Sequence, residues 1–311
     1  MYVKFNETTT AELPSLKALW NDGEVMYYVG YPEGLGITDE ETQKWLAMVA
    51  TKPNTKHFSI IEEDLGFVGE TFYSYREEGA PAIIDIKLLK KARGKGIAHI
   101  ALGYVLDLLF RNTEAPSALV DPDTHNLAAI NLYHKVGFVE DHRFTYKNRE
   151  HVAMLLAKEV WRRQRRASMS LREITSGNYL EAVDLAVRAD QMDFVALNSV
   201  SLVEAAYERG RMPRAIYAGE NMVGFVLLSR NRHTGVFWIS QLMIDQRFQG
   251  LGYGRRAMEL ALDVLYLMSE KPKICLSFAP TNIVAKNLYE SLGFVSTGAY
   301  VNQEIIYEKD W

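Results

Sequence analysis

Two rhythms of apolar residues alternate along this chain, and their order recurs. From residue 57 onward, "HFSIIEE", "GFVGETFYSY" and "AIIDIKLL" are rich in β-branched and aromatic residues and read as consecutive strands. Ile97, Ile100, Ala101, Tyr104, Val105, Leu108 and Leu109 then return at intervals of three and four, which predicts an amphipathic helix. "SALVDP" reads as a short strand, and "NLAAINLYHKVG" as a second helix with Gly137 as its C-terminal cap. Later, "RAIYAG", "MVGFVLLSR" and "GVFWISQLMI" predict strands, followed by a glycine turn, a helix, the strand "KICLSF" and a helix ending at Gly293. Each half therefore predicts a mixed sheet with helices on both faces.

The recurrence is a duplication. "KKARGKGIAHIALGYVLDLLF" is mirrored by "DQRFQGLGYGRRAMELALDVL", with Gly94 and Gly250 156 residues apart (250 − 94). "NLAAINLYHKVGFV" and "NIVAKNLYESLGFV" keep that offset at Asn126/Asn282, Ala129/Ala285, Asn131/Asn287, Tyr133/Tyr289 and Gly137/Gly293. An offset of half the chain makes each repeat a whole domain rather than a solenoid unit. The expected domains are 1–160 and 168–311, meeting where a helical "LAKEVWRRQRRASMS" gives way to a new opening strand, "LREIT".

Composition narrows the possible chemistry. The chain has 311 residues, enough for two cores, and 48% apolar with 24% charged residues fits a soluble globular protein. No apolar run approaches a bilayer span and "MYVKFNETTT" lacks a secretory core, so no membrane partner and a cytoplasmic location are expected. The single cysteine, Cys275, excludes intrachain disulfides and cysteine-clustered zinc, and the seven histidines show no metal-ligand spacing, so no metal is expected. A net charge of −4 argues against nucleic acid as a partner. The basic run Arg162, Arg163, Arg165 and Arg166 reads as a solvated helix end and linker.

The glycines carry the first chemical signal. "IDQRFQGLGYGRRAM" places Gly250, Gly252 and Gly254 on alternate positions between an apolar run and a helix. A strand that enters a helix through such a turn offers free backbone N–H groups and a positive dipole end to phosphate oxygens. A plain strand-to-helix turn would also account for an isolated Gly-x-Gly-x-Gly. A nucleotide P-loop requires Gly-Lys followed by Ser or Thr, whereas "GKG" leads into Ile97 and "GLG" into Tyr253. A dinucleotide fold requires an acidic residue ending the next strand, and "KICLSFAP" ends without one.

"RxxGxG" on such a turn, followed one helix and one strand later by "N-x-x-A-x-x-x-Y-x-x-x-G-F", resembles the acetyl-CoA signature of the GNAT N-acetyltransferases. The pair occurs twice, so the resemblance covers nearly the whole chain. It implies an α+β fold of two tandem GNAT domains, each a mixed, mostly antiparallel twisted sheet with helices on both faces. It also implies acetyl-CoA as cofactor, leaving as coenzyme A. The coenzyme's pyrophosphate would lie on Lys91, Arg93, Gly94, Lys95, Gly96 and Ala98 in the first half. In the second it would lie on Arg247, Gln249, Gly250, Leu251, Gly252, Gly254 and Arg255. Asn126 and Asn282 would join them, and a splayed strand would bind the pantetheine arm through Ile86 and Leu88, and through Leu242 and Ile244. Lys91 departs from the family's Arg or Gln at the loop's first position, and Arg247 keeps it.

The resemblance also implies the chemistry. Backbone N–H groups stabilise the oxyanion of acetyl transfer, and a thiolate of pKa about 8.5 can take a proton from a phenol of pKa about 10. The family's tyrosine matches Tyr133 and Tyr289, for which a packed core tyrosine is the alternative. Asp85 stands where the amine should lose its proton, but its counterpart is Gln241, so the halves are expected to differ. The first half resembles aminoglycoside 6′-N-acetyltransferases, which sets Asp85 and Asp121 against a cationic substrate with "WNDGEVMYYVGYP" on the substrate side. The second is similar to bacterial spermine/spermidine acetyltransferases, with Glu204 in the substrate helix region. The expected function is acetyl transfer to a primary amine of a small polycation, polyamine- or aminoglycoside-like. Acetylation of protein N-termini or lysines, or acyl-CoA sensing without turnover, stays open, as does oligomeric state.

Overall fold

The computed structural model describes residues 2–268 and 273–310. The chain divides into two compact units, Met1–Gln164 and Arg165–Trp311. The first runs β1 (Val3–Glu7), α1 (Leu13–Trp20), α2 (Gly23–Met26), α3 (Asp39–Ala50), β2 (Thr55–Glu62), β3 (Gly66–Ser74), β4 (Ala82–Leu88), α4 (Ile97–Asn112), β5 (Ser117–Val120), α5 (Leu127–Val136), β6 (Val139–Tyr146) and β7 (Arg149–Ala157). Helix α6 (Lys158–Ala167) carries the chain across the boundary. The second runs β8 (Met169–Glu173), α7 (Tyr179–Asp184), α8 (Asn198–Tyr207), β9 (Arg211–Ala218), β10 (Asn221–Arg230), β11 (Phe237–Ile244), α9 (Tyr253–Met268), β12 (Ile274–Phe278), α10 (Ile283–Ser291), β13 (Val295–Val301) and β14 (Glu304–Lys309).

Each unit builds one seven-stranded sheet, in the orders β1-β2-β3-β4-β5-β7-β6 and β13-β14-β12-β11-β10-β9-β8. Among the described residues, only β4–β5 and β11–β12 pair in parallel, so both sheets are mixed and mostly antiparallel. Alternation along β4 sets the two faces of the first sheet. Ile86 and Leu88 pack with Val68, Ile97 and Ala101 on the α4 side. Asp85 and Lys87 fall on the opposite face, where Trp20 of α1 also contributes.

Helix α4 is buried more broadly than one stripe predicts. Leu102, Leu106 and Phe110 are buried along with Ile97, Ala101, Val105 and Leu109, because α5 packs beside the helix as the sheet packs beneath it. Each of the Leu, Ile, Val and Phe side chains contributes about 1.5–3 kcal/mol of burial. The basic run departs from its expected solvated state at Arg165. That residue is buried, and its guanidinium donates to the Ala218 carbonyl and, at 3.0 Å, to Asn221 Oδ1, satisfying the β9–β10 turn.

Candidate functional site

The site in each domain begins where two parallel strands stop pairing. β4 and β5 pair only at Ala82↔Ala118 and Ile83↔Leu119, after which β4 continues alone to Leu88. β11 and β12 pair at Phe237↔Ile274, Trp238↔Cys275 and Ile239↔Leu276, then part in the same way. The strand edges beyond, which include Ile86, Leu88, Leu242 and Ile244, open a wedge whose backbone groups lack a ladder partner on that side. A buried or ligand-lined wedge is the place where such groups find a partner outside the sheet.

The glycine loops close the wide end of each wedge. Gly94, Gly96, Gly250 and Gly252 have φ between 73° and 81°, the left-handed region that side chains disfavour. Gly254 does not share it; it lies in the first turn of α9, where an added Cβ would meet Ile244 and Leu288 at ordinary contact distance. Among the described residues, no carbonyl accepts from the backbone N–H groups of residues 94–98, 250–252 or 254. Leu251 of the second loop is buried, Lys95 lies on the first loop, and Ala98 is in the first turn of α4. A run of unpaired amides at a helix N-terminus is suited to a diphosphate.

Several flanking residues are engaged within the fold. Lys91 Nζ donates to the Leu65 carbonyl at 2.6 Å, and Arg93 reaches the Leu88 carbonyl and Glu24. Arg247 pairs with the buried Asp245 at 2.7 Å, and Gln249 donates to the Ile244 carbonyl at 2.9 Å. Arg255 donates to Ser291 Oγ at 2.5 Å. Asn126 and Asn282 are N-caps, accepting from Ala129 N at 3.2 Å and Ala285 N at 3.1 Å. The "N-x-x-A" spacing is thus a cap and its third helical residue. Two turns later comes the tyrosine, then a left-handed glycine, Gly137 or Gly293. Phe138 packs on Tyr133 and Phe294 on Tyr289.

Tyr133 is buried, and its phenol is held well above the usual range by burial and by the charges of Asp85 and Asp121, partly offset by Lys87. Asp85 and Asp121 therefore lie within electrostatic reach of Tyr133. Burial and the Asp85 charge also raise the Asp121 carboxyl, against the nearby His151. His151 Nδ1 donates to the Asp121 carbonyl at 2.8 Å. Asp85 is more engaged than a free base would be: Oδ1 accepts the Ile86 N–H at 2.8 Å and Oδ2 meets Lys87 Nζ. Lys87 in turn lies 3.0 Å from the buried Glu70, which also accepts from Trp20 Nε1 at 2.9 Å and His57 Nε2 at 2.7 Å. Burial pushes the Glu70 carboxyl up, but Lys87 and His57 overcome this and hold it at about 2.

In the second domain the wedge opens into a cavity of about 680 Å³, lined among others by Gln241, Tyr289, Ser277, Glu304 and Glu204. Tyr289 is buried there, and desolvation together with Glu304 pushes its phenol up to about 12. Gln241 is locked in place: it accepts from Ser201 Oγ and donates to the Ala196 carbonyl at 2.9 Å and Asn198 Oδ1 at 2.8 Å. Glu204 lies on α8, half-exposed and 3.6 Å from Arg211.

Two family models match in tandem: "Acetyltransferase (GNAT) domain" over residues 3–139 and "Acetyltransferase (GNAT) family" over residues 170–294. The aminoglycoside N(6′)-acetyltransferase type 1 of Serratia marcescens is 32% identical over 140 residues, 42% of this chain and 70% of that protein. The chain belongs to the GNAT acetyltransferases. The spermine/spermidine N(1)-acetyltransferase of Bacillus subtilis (strain 168) is 26% identical over 137 residues, 42% of this chain and 90% of that protein. The spermidine N-acetyltransferase of Vibrio cholerae, solved with CoA and spermine, is 16% identical, with TM-score 0.47 over 51% of this chain and 97% of that one.

GNAT enzymes take their acetyl group from acetyl-CoA, and the wedge, free amides and left-handed glycines on this chain suit that molecule. Two parts of the GNAT sites lay outside the sequence reading. Glu70, Lys87, His57 and Trp20 form the polar floor of the first; Trp20 opens the "WNDGEVMYYVGYP" segment and Lys87 stands two residues from Asp85 on an alternating strand, whereas Glu70 and His57 carried no sequence signal. Glu304 in the second follows the last recognisable motif and carried none.

Proposed function

We propose that this GNAT chain transfers acetyl groups from acetyl-CoA to the primary amine of a small polycation, with Tyr133 and Tyr289 as proton donors. The observation that carries the reading is the burial of one tyrosine at each wedge, with Asp85 and Asp121 within electrostatic reach of the first. Relatives named for spermine/spermidine and for aminoglycosides favour polyamines and aminosugars as the substrate class.

The coenzyme supplies a thioester carbon and a thiol leaving group. The free amides of residues 94–98 and 250–252 bind its diphosphate, and the unpaired edges of β4 and β11 align its arm. Asp85 and Asp121 draw the cationic amine to the mouth of the first wedge. Tyr289, held at about 12, stays fully protonated at neutral pH and keeps its Oη proton ready for the departing sulfur. The test is release of free thiol from acetyl-CoA by the whole protein, with spermidine, spermine, an aminoglycoside and a lysine peptide as acceptors. The reading requires turnover with the small polycations; turnover with the peptide alone would replace it.

A further inference from the structure

The second domain has neither carboxylate of the first. The counterpart of Asp85 is the neutral, locked Gln241, and the position 156 residues after Asp121 is Ser277. A cationic acceptor nevertheless needs an anionic partner where its charge is taken out of water.

Sheet register locates one. Ser277 pairs with Ile306 and Phe278 with Ile305, which brings Glu304 level with Ala279. In the first domain the corresponding position, Asp123, bridges His151. Glu304 thus occupies the row held by His151, the residue that touches Asp121. It is the first residue of β14 after a tight turn in which Asn302 and Gln303 are both left-handed, at φ 46° and 69°. Its carboxylate accepts from Ser277 Oγ at 2.5 Å and lines the same cavity as Tyr289. Where His151 bonds the Asp121 backbone carbonyl in the first domain, Glu304 accepts from the Ser277 hydroxyl in the second. The acidic group has moved from the end of the parallel strand to the facing hairpin.

We propose that Glu304 anchors the ammonium of the acceptor amine in the second domain, with Ser277 as the residue that positions its carboxylate. This rests on the acetyltransferase reading above and extends it to the domain that lacks Asp85. The ligand class is a linear amine with a terminal ammonium, the end of which lies between Glu304 and Tyr289. Glu204 lines the same cavity but already faces Arg211, so it is the weaker pole.

The test uses the full chain carrying Asp85→Asn and Asp121→Asn, saturated with coenzyme A and titrated calorimetrically with spermidine. Adding Glu304→Gln should weaken spermidine binding at least about tenfold, with coenzyme A affinity unchanged. Ser277→Ala should give a smaller loss, and Glu304→Asp, which keeps the charge, should retain most of the binding. Unchanged spermidine affinity in Glu304→Gln would overturn the proposal while leaving the acetyltransferase reading standing. So would a tenfold loss in Glu204→Gln alone, which would move the anchor to α8. Absence of spermidine binding even to the unsubstituted chain would overturn the polycation reading on which the proposal rests.

Discussion

Asp85 and Lys87 leave the same face of β4 two residues apart, and their charged ends close an ion pair above Glu70. Lys87 is thereby shared between one carboxylate that is buried and one that is partly open. Burial alone would lower the lysine's pKa, but Asp85 and Glu70 hold it well above the ordinary range, so it is a fixed cation at every working pH. That cation neutralises the floor of the first site and holds one Asp85 oxygen in an ion pair.

Glu70 makes folding of the first domain acid-sensitive. Its carboxyl sits at about 2 against an ordinary 4.5, so its contribution is fully present above pH 4.5 and is lost as pH falls toward 2. A shift of that size corresponds to roughly 3 kcal/mol. Glu70→Gln should flatten stability between pH 5 and 2, as followed by denaturant midpoints at stepped pH; a slope equal to that of the unsubstituted protein would remove Glu70 as the cause.

Removing the cation should cost more than removing either acid. Lys87→Met leaves Glu70 buried with only His57 and Trp20 as partners, and breaking a buried pair on one side costs about 3–5 kcal/mol. The double variant Lys87→Met/Glu70→Gln should recover much of that loss. Thermal midpoints of the two variants decide it, and equal midpoints would deny the coupling.

Tyr133→Phe and Tyr289→Phe should each lower turnover in their own domain about a hundredfold, with coenzyme affinity nearly unchanged. Phenylalanine keeps the packing on Phe138 and Phe294 and deletes only the hydroxyl. If the double variant keeps full thiol release, the tyrosines are core residues and nothing more.

Titration with acetyl-CoA should give a stoichiometry near two per chain, because both loops carry free amides and left-handed glycines. Gly96→Glu and Gly252→Glu should each remove one site, since a side chain at φ 80° strains the loop and a carboxylate repels the diphosphate. A single site in the unsubstituted protein would mark one loop as vestigial.

Asp85→Asn separates three roles for that residue. If Asp85 takes the amine proton, turnover should fall and partly recover at higher pH, where more amine is already neutral. If it only attracts the cation, KM should rise with the pH profile unchanged. If it mainly neutralises Lys87, the thermal midpoint should drop with little change in either constant. In every case the Asp121 carboxyl should titrate lower than before, because the Asp85 charge helps hold it up.

Much of the sheet could be read in the sequence because its strands alternate, its two long helices carry periodic stripes, and the second half repeats the first. The ends of each domain were harder. β6 and β13 are almost wholly exposed edge strands, so no apolar alternation marks them. Helix α3 does announce itself through the Thr38–Glu41 capping box, a local signal independent of the duplicated motifs. At the sites, the residues gathered around Tyr133 lay within or beside a repeated motif. Glu70 and Glu304 did not, since each reaches its site only through sheet pairing, which a linear reading cannot supply.

The two wedges share their loops and differ in their acidic residues, and this bears on inhibition. A compound that imitates only the nucleotide end of the coenzyme meets free amides over left-handed glycines in both domains and has little by which to tell them apart. Selectivity must come from an amine arm joined to the sulfur end, which would meet Asp85 and Asp121 in one domain and Glu304 in the other. A matched pair of such conjugates, differing only in that arm, would silence the two halves of the chain one at a time.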